Sequence, residues 1–114
     1  MSEKDCVFCK IVRGEIEAEV VHDEESVMAF KDASPKAPVH VLVVPKEHVS
    51  SMAEVGRLPD AVAKCLFEVA HEAARKMDVA DSGYASRVNN GPDAGQDVFH
   101  LHGHVMGGER MRMP

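Results

Sequence analysis

The sequence predicts a single mixed domain, strands with one long helix, on three observations. From Pro59 to Met77 the apolar residues Val62, Leu66, Val69, Ala73 and Met77 return every three or four positions, the period of an amphipathic helix of about five turns. Elsewhere apolar residues come in short, β-branched runs divided by Gly, Pro, Asn and Asp, which is the pattern of strands and turns. Finally, 114 residues with 45% apolar composition supply one core and leave no linker, repeat or low-complexity segment to divide it.

Taken in order, Val7 to Val12 form a short helix or turn that closes at Arg13-Gly14, where glycine can take the left-handed conformation that ends helices. Val20-Val21-His22 and Val27-Met28-Ala29-Phe30 flank Asp23-Glu24-Glu25-Ser26, a polar turn of hairpin length, and His22 falls at an exposed strand end. Lys31 to Pro38 is a loop, since Pro35 and Pro38 block both helix and ladder; Asp32 there is either a turn residue or an acceptor for ligand hydroxyls. Val39 to Val44 is a strand with apolar residues on both faces, hence central. His40 shares a face with Leu42 and Val44 and needs a partner there, either another strand-borne imidazole or a purely structural group. Pro59 suits the first turn of the long helix, Cys65 reads as a buried small hydrophobe, and His71 belongs to the polar face. Tyr84 to Val88 is a further strand. Asn89 to Gly95, dense in Asn, Gly and Pro, is a tight loop that is either a plain turn or a cradle of amides for an anion.

The segment Val98 to Met106 carries His100, His102 and His104 at alternate positions among β-branched and aromatic residues. Read as a strand, it projects all three imidazoles from one face, roughly 6.6 Å apart. A solvated polar face usually mixes Thr, Lys, Glu and Ser, whereas repetition of the one side chain that titrates near neutrality points to chemistry. Cys6-Val7-Phe8-Cys9 has three readings: half of a zinc site, a redox pair, or two small hydrophobes. A redox pair is expected after a strand within a βαβ unit, and only five residues precede Cys6, so zinc leads and requires two further ligands. His48, just beyond the end of the central strand, is a candidate third.

Composition excludes other classes. A formal charge of −6 argues against a nucleic-acid surface, and no apolar run approaches the roughly 20 residues of a membrane span. The N-terminus lacks an apolar signal region, and three cysteines do not make a secreted disulfide framework, so a cytoplasmic location is expected.

The segment from Asn89 to Gly108, centred on His100-Leu101-His102-Gly103-His104-Val105-Met106, closely resembles the signature of the histidine triad (HIT) superfamily. Cys6 to Ile11, Phe30 to Pro35, His40 to Pro45 and Lys46 to Val49 resemble the family's other segments in the same order. Gly107-Gly108-Glu109-Arg110-Met111 is most similar to the Hint branch, the nucleoside phosphoramidate hydrolases. The resemblance implies an α+β fold: a five-stranded antiparallel sheet with one long helix and a short N-terminal helix, dimerising into a ten-stranded sheet. It implies hydrolysis of purine nucleoside 5′-phosphoramidates or acyl-adenylates through a nucleotidyl-histidine.

By the same resemblance His102 is the nucleophile, His104 hydrogen-bonds the phosphate or leaving group, and His40 orients His102 through its second nitrogen. Asn89, Gly95, Gln96 and Asp97, with His104, would hold phosphate oxygens, and Asp32 the ribose hydroxyls. Val7, Phe8, Ile11, Ile16 and Phe30 would wall the purine. Cys6, Cys9, His48 and His100 would hold a structural zinc ion, and the chemistry itself would need no cofactor. The implied partners are a purine nucleotide and a second copy of the chain.

Three departures from the Hint pattern stand out. Asp97 replaces the usual Ser or Thr, a carboxylate that either repels phosphate, points away, or favours a cationic leaving group. Gly103 replaces an apolar residue, and Met111-Arg112-Met113-Pro114 lacks the tail's usual tryptophan. Rival readings are dinucleoside polyphosphate hydrolysis, a nucleotide-binding scaffold with incidental turnover, and a catalytic metal held by the three histidines. The last suffers from spacing, because successive same-face residues of one strand diverge by about 6.6 Å, too far to share one ion.

Overall fold

A computed structural model describes residues 3–112. Within them the elements run α1 (Val7–Val12), β1 (Val20–Asp23), β2 (Val27–Lys31), β3 (Val39–Pro45), α2 (Asp60–Lys76), β4 (Tyr84–Val88) and β5 (Gly103–Gly107), with short 3-10 turns at Glu3–Asp5, Met52–Arg57 and Pro92–Ala94. The strands form one antiparallel sheet in the order β1-β2-β3-β5-β4, the α+β fold that the sequence predicts. The 3-10 turn at Met52–Arg57 has no apolar period to announce it. Its start is fixed instead by the Ser51 hydroxyl, which accepts from the Ala53 amide.

The central position of β3 follows from its two apolar faces. Val41 and Val43 pack with Val27, Ala29 and Val105 against Val69, Ala73 and Ala74 of α2. Leu42 and Val44 turn the other way, toward Met28, Phe30 and the α1 residues Phe8 and Cys9. Thus α2 packs over β1, β2, β3 and β5 on one face, while the short α1 covers only part of the other. His40 lies on that second face, buried at 4% exposure. Pro59, whose fixed φ suits the position before the first turn, caps the start of α2, and beyond the helix end Asp78 lies in the left-handed region at φ 61°. Cys65 is half-buried, not a core residue, and its thiol donates to Glu24 Oε2 at 3.2 Å. His22 is likewise half-buried, bonded to both Glu24 and Lys76.

The histidine segment departs from the regular strand expected of it. β5 begins only at Gly103, and residues 96 to 102 run irregularly across the end of the sheet. The Leu101 amide donates to the Val49 carbonyl at 2.8 Å, which ties this segment to the residues after β3 rather than to the ladder. His100 is drawn under the sheet end, fully buried, where a continuous strand would have aligned it with the other two. At Gly103 an added Cβ would meet only Val88 Cγ2, at 3.9 Å, so no second backbone approaches there.

Candidate functional site

On the open face of the sheet, Leu42 pairs with His104 and His40 with Met106, which leaves His40 and His104 as diagonal neighbours. Their rings meet, His40 Nε2 lying 2.9 Å from His104 Nδ1. The protons of this pair can be assigned from chemistry. The Lys36 backbone N–H donates to His40 Nδ1 at 3.0 Å, so a neutral His40 carries its proton on Nε2 and donates it to His104 Nδ1. His104 therefore keeps its own proton on Nε2. Burial, reinforced by the facing His102 and His40, pushes the His104 pKa down to about 4, and burial lowers that of His40, so both rings are neutral at pH 7.

His102 has the opposite polarity. Its Nδ1 lies 2.7 Å from the His100 carbonyl oxygen, which can only accept, so in the neutral ring the proton sits on Nδ1 and Nε2 holds a lone pair. His40 thus orients His104, and the carbonyl of His100 orients His102, where the resemblance had given His40 that task. With ring centroids of His102 and His104 5.0 Å apart, the two side chains present a lone pair and an N–H donor next to each other.

Both rings line a cleft of about 1000 Å³, at the large end of the range for small-molecule sites. Val7, Phe8, Ile11, Ile16, Phe30 and Leu42 make its apolar wall, and Phe8 stands edge-on to both Phe30 and His102. Asp32 lines it as well, its Oδ1 accepting from the Ser34 amide at 2.8 Å and its Oδ2 3.4 Å from His40 Nε2. Gly95 and Asp97 reach the cleft, but Asn89 and Gln96 do not line it. Asn89 Nδ2 donates to the Ala94 carbonyl, and the buried Gln96 amide bonds the Gly91 N–H and the Ser50 and Val98 carbonyls. Both brace the loop that carries Gly95 and Asp97. Sequence reasoning did not reach Glu17, Glu19, Lys31 or Lys36, which also line the cleft. Leu42 was within its reach, as the residue alternating with His40.

Behind this cleft lies a second group of imidazoles. The ligand atoms of Cys6, Cys9, His48 and His100 all lie within 4.8 Å of one another. Cys6 Sγ is 3.4 Å and Cys9 Sγ 3.5 Å from His100 Nδ1, and Cys9 Sγ is 3.3 Å from His48 Nδ1. A tetrahedral zinc ion with ordinary Zn–S and Zn–N bonds separates its sulfur and nitrogen ligands by about 3.5 Å, so the donor set fits that ion. His100 Nε2 donates to the Pro45 carbonyl at 2.7 Å, which leaves Nδ1 bare toward the thiols, as a metal ligand requires. Burial drives the His100 pKa down to about 4 and raises the Cys9 thiol to about 11.

The chain matches the model of the HIT domain over residues 13–111. It belongs to the HIT family. The HIT match begins after Cys6 and Cys9, so the thiol pair is carried by a segment outside it. A HIT-like protein of Synechococcus elongatus is 38% identical over 114 residues, all of this chain and 98% of that one. A 14 kDa zinc-binding protein of Zea mays is 34% identical over 116 residues, covering 100% of this chain and 90% of its own. The solved structure of a HIT family hydrolase from Clostridium thermocellum superposes with TM-score 0.89 at 37% identity, over 99% of this chain and 98% of that one. Within this HIT chain, His100 belongs to the thiol cluster, while His102 and His104 line the cleft and the buried His40 backs His104.

Proposed function

We propose that this HIT protein hydrolyses purine nucleoside 5′-phosphoramidates, in the manner of the Hint branch, through a nucleotidyl-histidine on His102. The observation that carries the reading is the pair of opposite tautomers: a lone pair on His102 Nε2 beside an N–H on His104 Nε2, both at the cleft. His102 Nε2 attacks phosphorus and forms a P–N bond. The bond to the leaving nitrogen breaks, its electron pair stays on that nitrogen, and a proton from water completes the departing amine. His104 holds a phosphate oxygen through its Nε2–H, a donor placed where charge grows. The positive charge on the phosphorylated ring is shared with the His100 carbonyl through Nδ1–H. Water then attacks phosphorus, the P–Nε2 bond breaks, the nucleotide leaves and Nε2 recovers its lone pair. The apolar wall of Val7, Phe8, Ile11, Ile16 and Phe30 receives the purine, and Asp32 the ribose hydroxyls.

Zinc at Cys6, Cys9, His48 and His100 is structural in this reading, with all four ligand positions taken by protein. The name of the maize relative supports it. A homodimer completes the proposal. Phe67 on α2, Met52 and the edge-strand residue Val88 are exposed apolar groups along one groove that also includes Gly103, and β4 offers a free sheet edge to a second copy.

The test is steady-state hydrolysis of adenosine 5′-phosphoramidate against diadenosine tetraphosphate. The reading expects kcat/KM to be higher for the phosphoramidate by at least about tenfold; the reverse order would assign the cleft to polyphosphates. The lining itself supports this direction, since four carboxylates face two lysines and a polyanion would meet net repulsion.

A further inference from the structure

Beside the cleft lies a second set of metal donors, drawn from different residues than the thiol cluster. One nitrogen each of His40 and His104 and one oxygen of Asp32 all lie within 4.8 Å of one another. His40 Nε2 is 2.9 Å from His104 Nδ1 and 3.4 Å from Asp32 Oδ2. Two imidazoles and a carboxylate gathered in this way are a frequent ligand set for divalent iron, and the same donors suit cobalt and zinc. By distance alone this would be a metal site.

The protons decide otherwise, because a metal needs a bare lone pair on each donor. His104 Nδ1 has one, since the proton of that ring is on Nε2, and the Asp32 carboxylate can offer another. His40 Nε2 cannot. The Lys36 amide donates to His40 Nδ1 at 3.0 Å, which leaves the single proton of the neutral ring on Nε2, in the middle of the donor set. To admit an ion, that proton would have to move to Nδ1, against the Lys36 N–H, or leave the ring altogether. The side chain is 1% exposed, so the ring has no outlet to solvent, and Pro35 and Pro38 stiffen the loop that carries the amide. His100 shows the opposite arrangement in the same chain: the Pro45 carbonyl accepts the Nε2 proton, and Nδ1 is bare toward the thiols. A carbonyl behind the ring opens one donor set, and an amide behind the ring closes the other.

We propose that the backbone N–H of Lys36 is a positioning group that shuts a two-histidine, one-carboxylate metal site at Asp32, His40 and His104, by holding the His40 proton between the donors. The cleft thereby keeps His104 free for its substrate in the presence of the metal that the neighbouring thiol cluster fits. The device needs the backbone of Lys36 and not its ammonium. It concerns the proton on His40 and stands whichever phosphorus compound the cleft takes.

The test uses zinc-loaded protein with cobalt(II) as the probe. Lys36→Pro removes the N–H, Lys36→Ala keeps it and removes the ammonium, and a semisynthetic chain with an ester in place of the Pro35–Lys36 amide exchanges the N–H for oxygen with the side chain intact. Affinity is measured by calorimetry. Cobalt in the new site is recognised by visible d–d absorption without the thiolate-to-cobalt charge-transfer band that exchange into the cysteine cluster would bring. Lys36→Pro and the ester chain are expected to bind one cobalt ion per chain at least about tenfold more tightly than wild type, the scale on which an outer hydrogen-bond partner acts on metal affinity, and to lose the gain when Asp32→Ala is added. Lys36→Ala should behave as wild type. Cobalt held in the cleft of the wild type as tightly as in the ester chain, a gain in Lys36→Ala equal to that in Lys36→Pro, or no gain in a folded chain that lacks the N–H would each overturn the proposal. Nitrogen NMR shifts of His40 in the wild type check the same point without any variant: they should show Nε2 protonated and Nδ1 bare, and a proton on Nδ1 would overturn it too.

Discussion

Two groups of imidazoles sit within one short stretch of this chain, and they differ in almost everything but residue type. His100 and His48 meet two thiols in a largely buried cluster, with Cys6 and His100 at 0% exposure, Cys9 at 6% and His48 half-buried. His102 and His104 meet no thiol; their ring nitrogens are tied to a carbonyl and to His40, and both line a wide cleft. The comparison teaches that the partner of the second nitrogen decides what an imidazole can do. His100 Nε2 gives its proton to Pro45, which bares Nδ1 for a metal, while His102 Nδ1 gives its proton to His100, which bares Nε2 for phosphorus. His100 joins the two groups, its ring serving one and its carbonyl the other.

The largest effects expected from breaking this division come from crossing two variants. His102→Ala should lower kcat for adenosine phosphoramidate by at least about 10³-fold, the scale on which removal of a nucleophile acts, with zinc content and melting temperature unchanged. Cys9→Ala should do the converse: one zinc ion per chain is lost, and the melting temperature falls by about 10 °C or more, measured by atomic emission and calorimetry. Loss of zinc on His102→Ala would erase the boundary between the two groups.

A smaller effect sharpens the cleft side alone. His40→Ala removes the donor that fixes the His104 tautomer, and kcat should fall about 10- to 100-fold with KM changed far less. An equal change in both would mean that His40 serves binding, not orientation.

The smallest effect concerns pH. His104 titrates near 6.5 when unfolded and near 4 when folded, and His40 is shifted in the same direction. The unfolded chain therefore binds protons first, and stability that is full above pH 6.5 declines as pH falls toward 4. The groups facing His104 are His102, His40, Asp32 and Arg87, of which only Asp32 favours its charged form. Urea midpoints measured from pH 7 to 4.5 should fall, and should fall less steeply in His104→Gln.

The strands and the long helix were legible because their hydrophobic periods are consequences of packing. β3, α2 and β4 lie within a residue of where the sequence places them. The histidine segment was misread as a continuous strand because its composition is that of a strand. What overrides it is not local: the Leu101 amide bonds Val49, and His100 fills a thiol pocket formed nearly a hundred residues earlier. Asn89 and Gln96 illustrate a similar limit. A carboxamide beside a glycine-rich loop can hold a phosphate or hold the loop, and here the backbone groups of Gly91, Ala94, Ser50 and Val98 take those amides. The pairing of His40 with His104 depends on the β3–β5 register, which no spacing in the sequence fixes.

The central claim, that the free lone pair of His102 is the one that meets phosphorus, is tested most directly by trapping. His104→Ala, mixed with adenosine 5′-phosphoramidate and quenched in alkali, should show by peptide mass spectrometry one adenylyl group on His102, absent in the His104→Ala/His102→Ala double variant. An adduct on His40 or His100, or turnover in the double variant equal to that of His104→Ala, would contradict it.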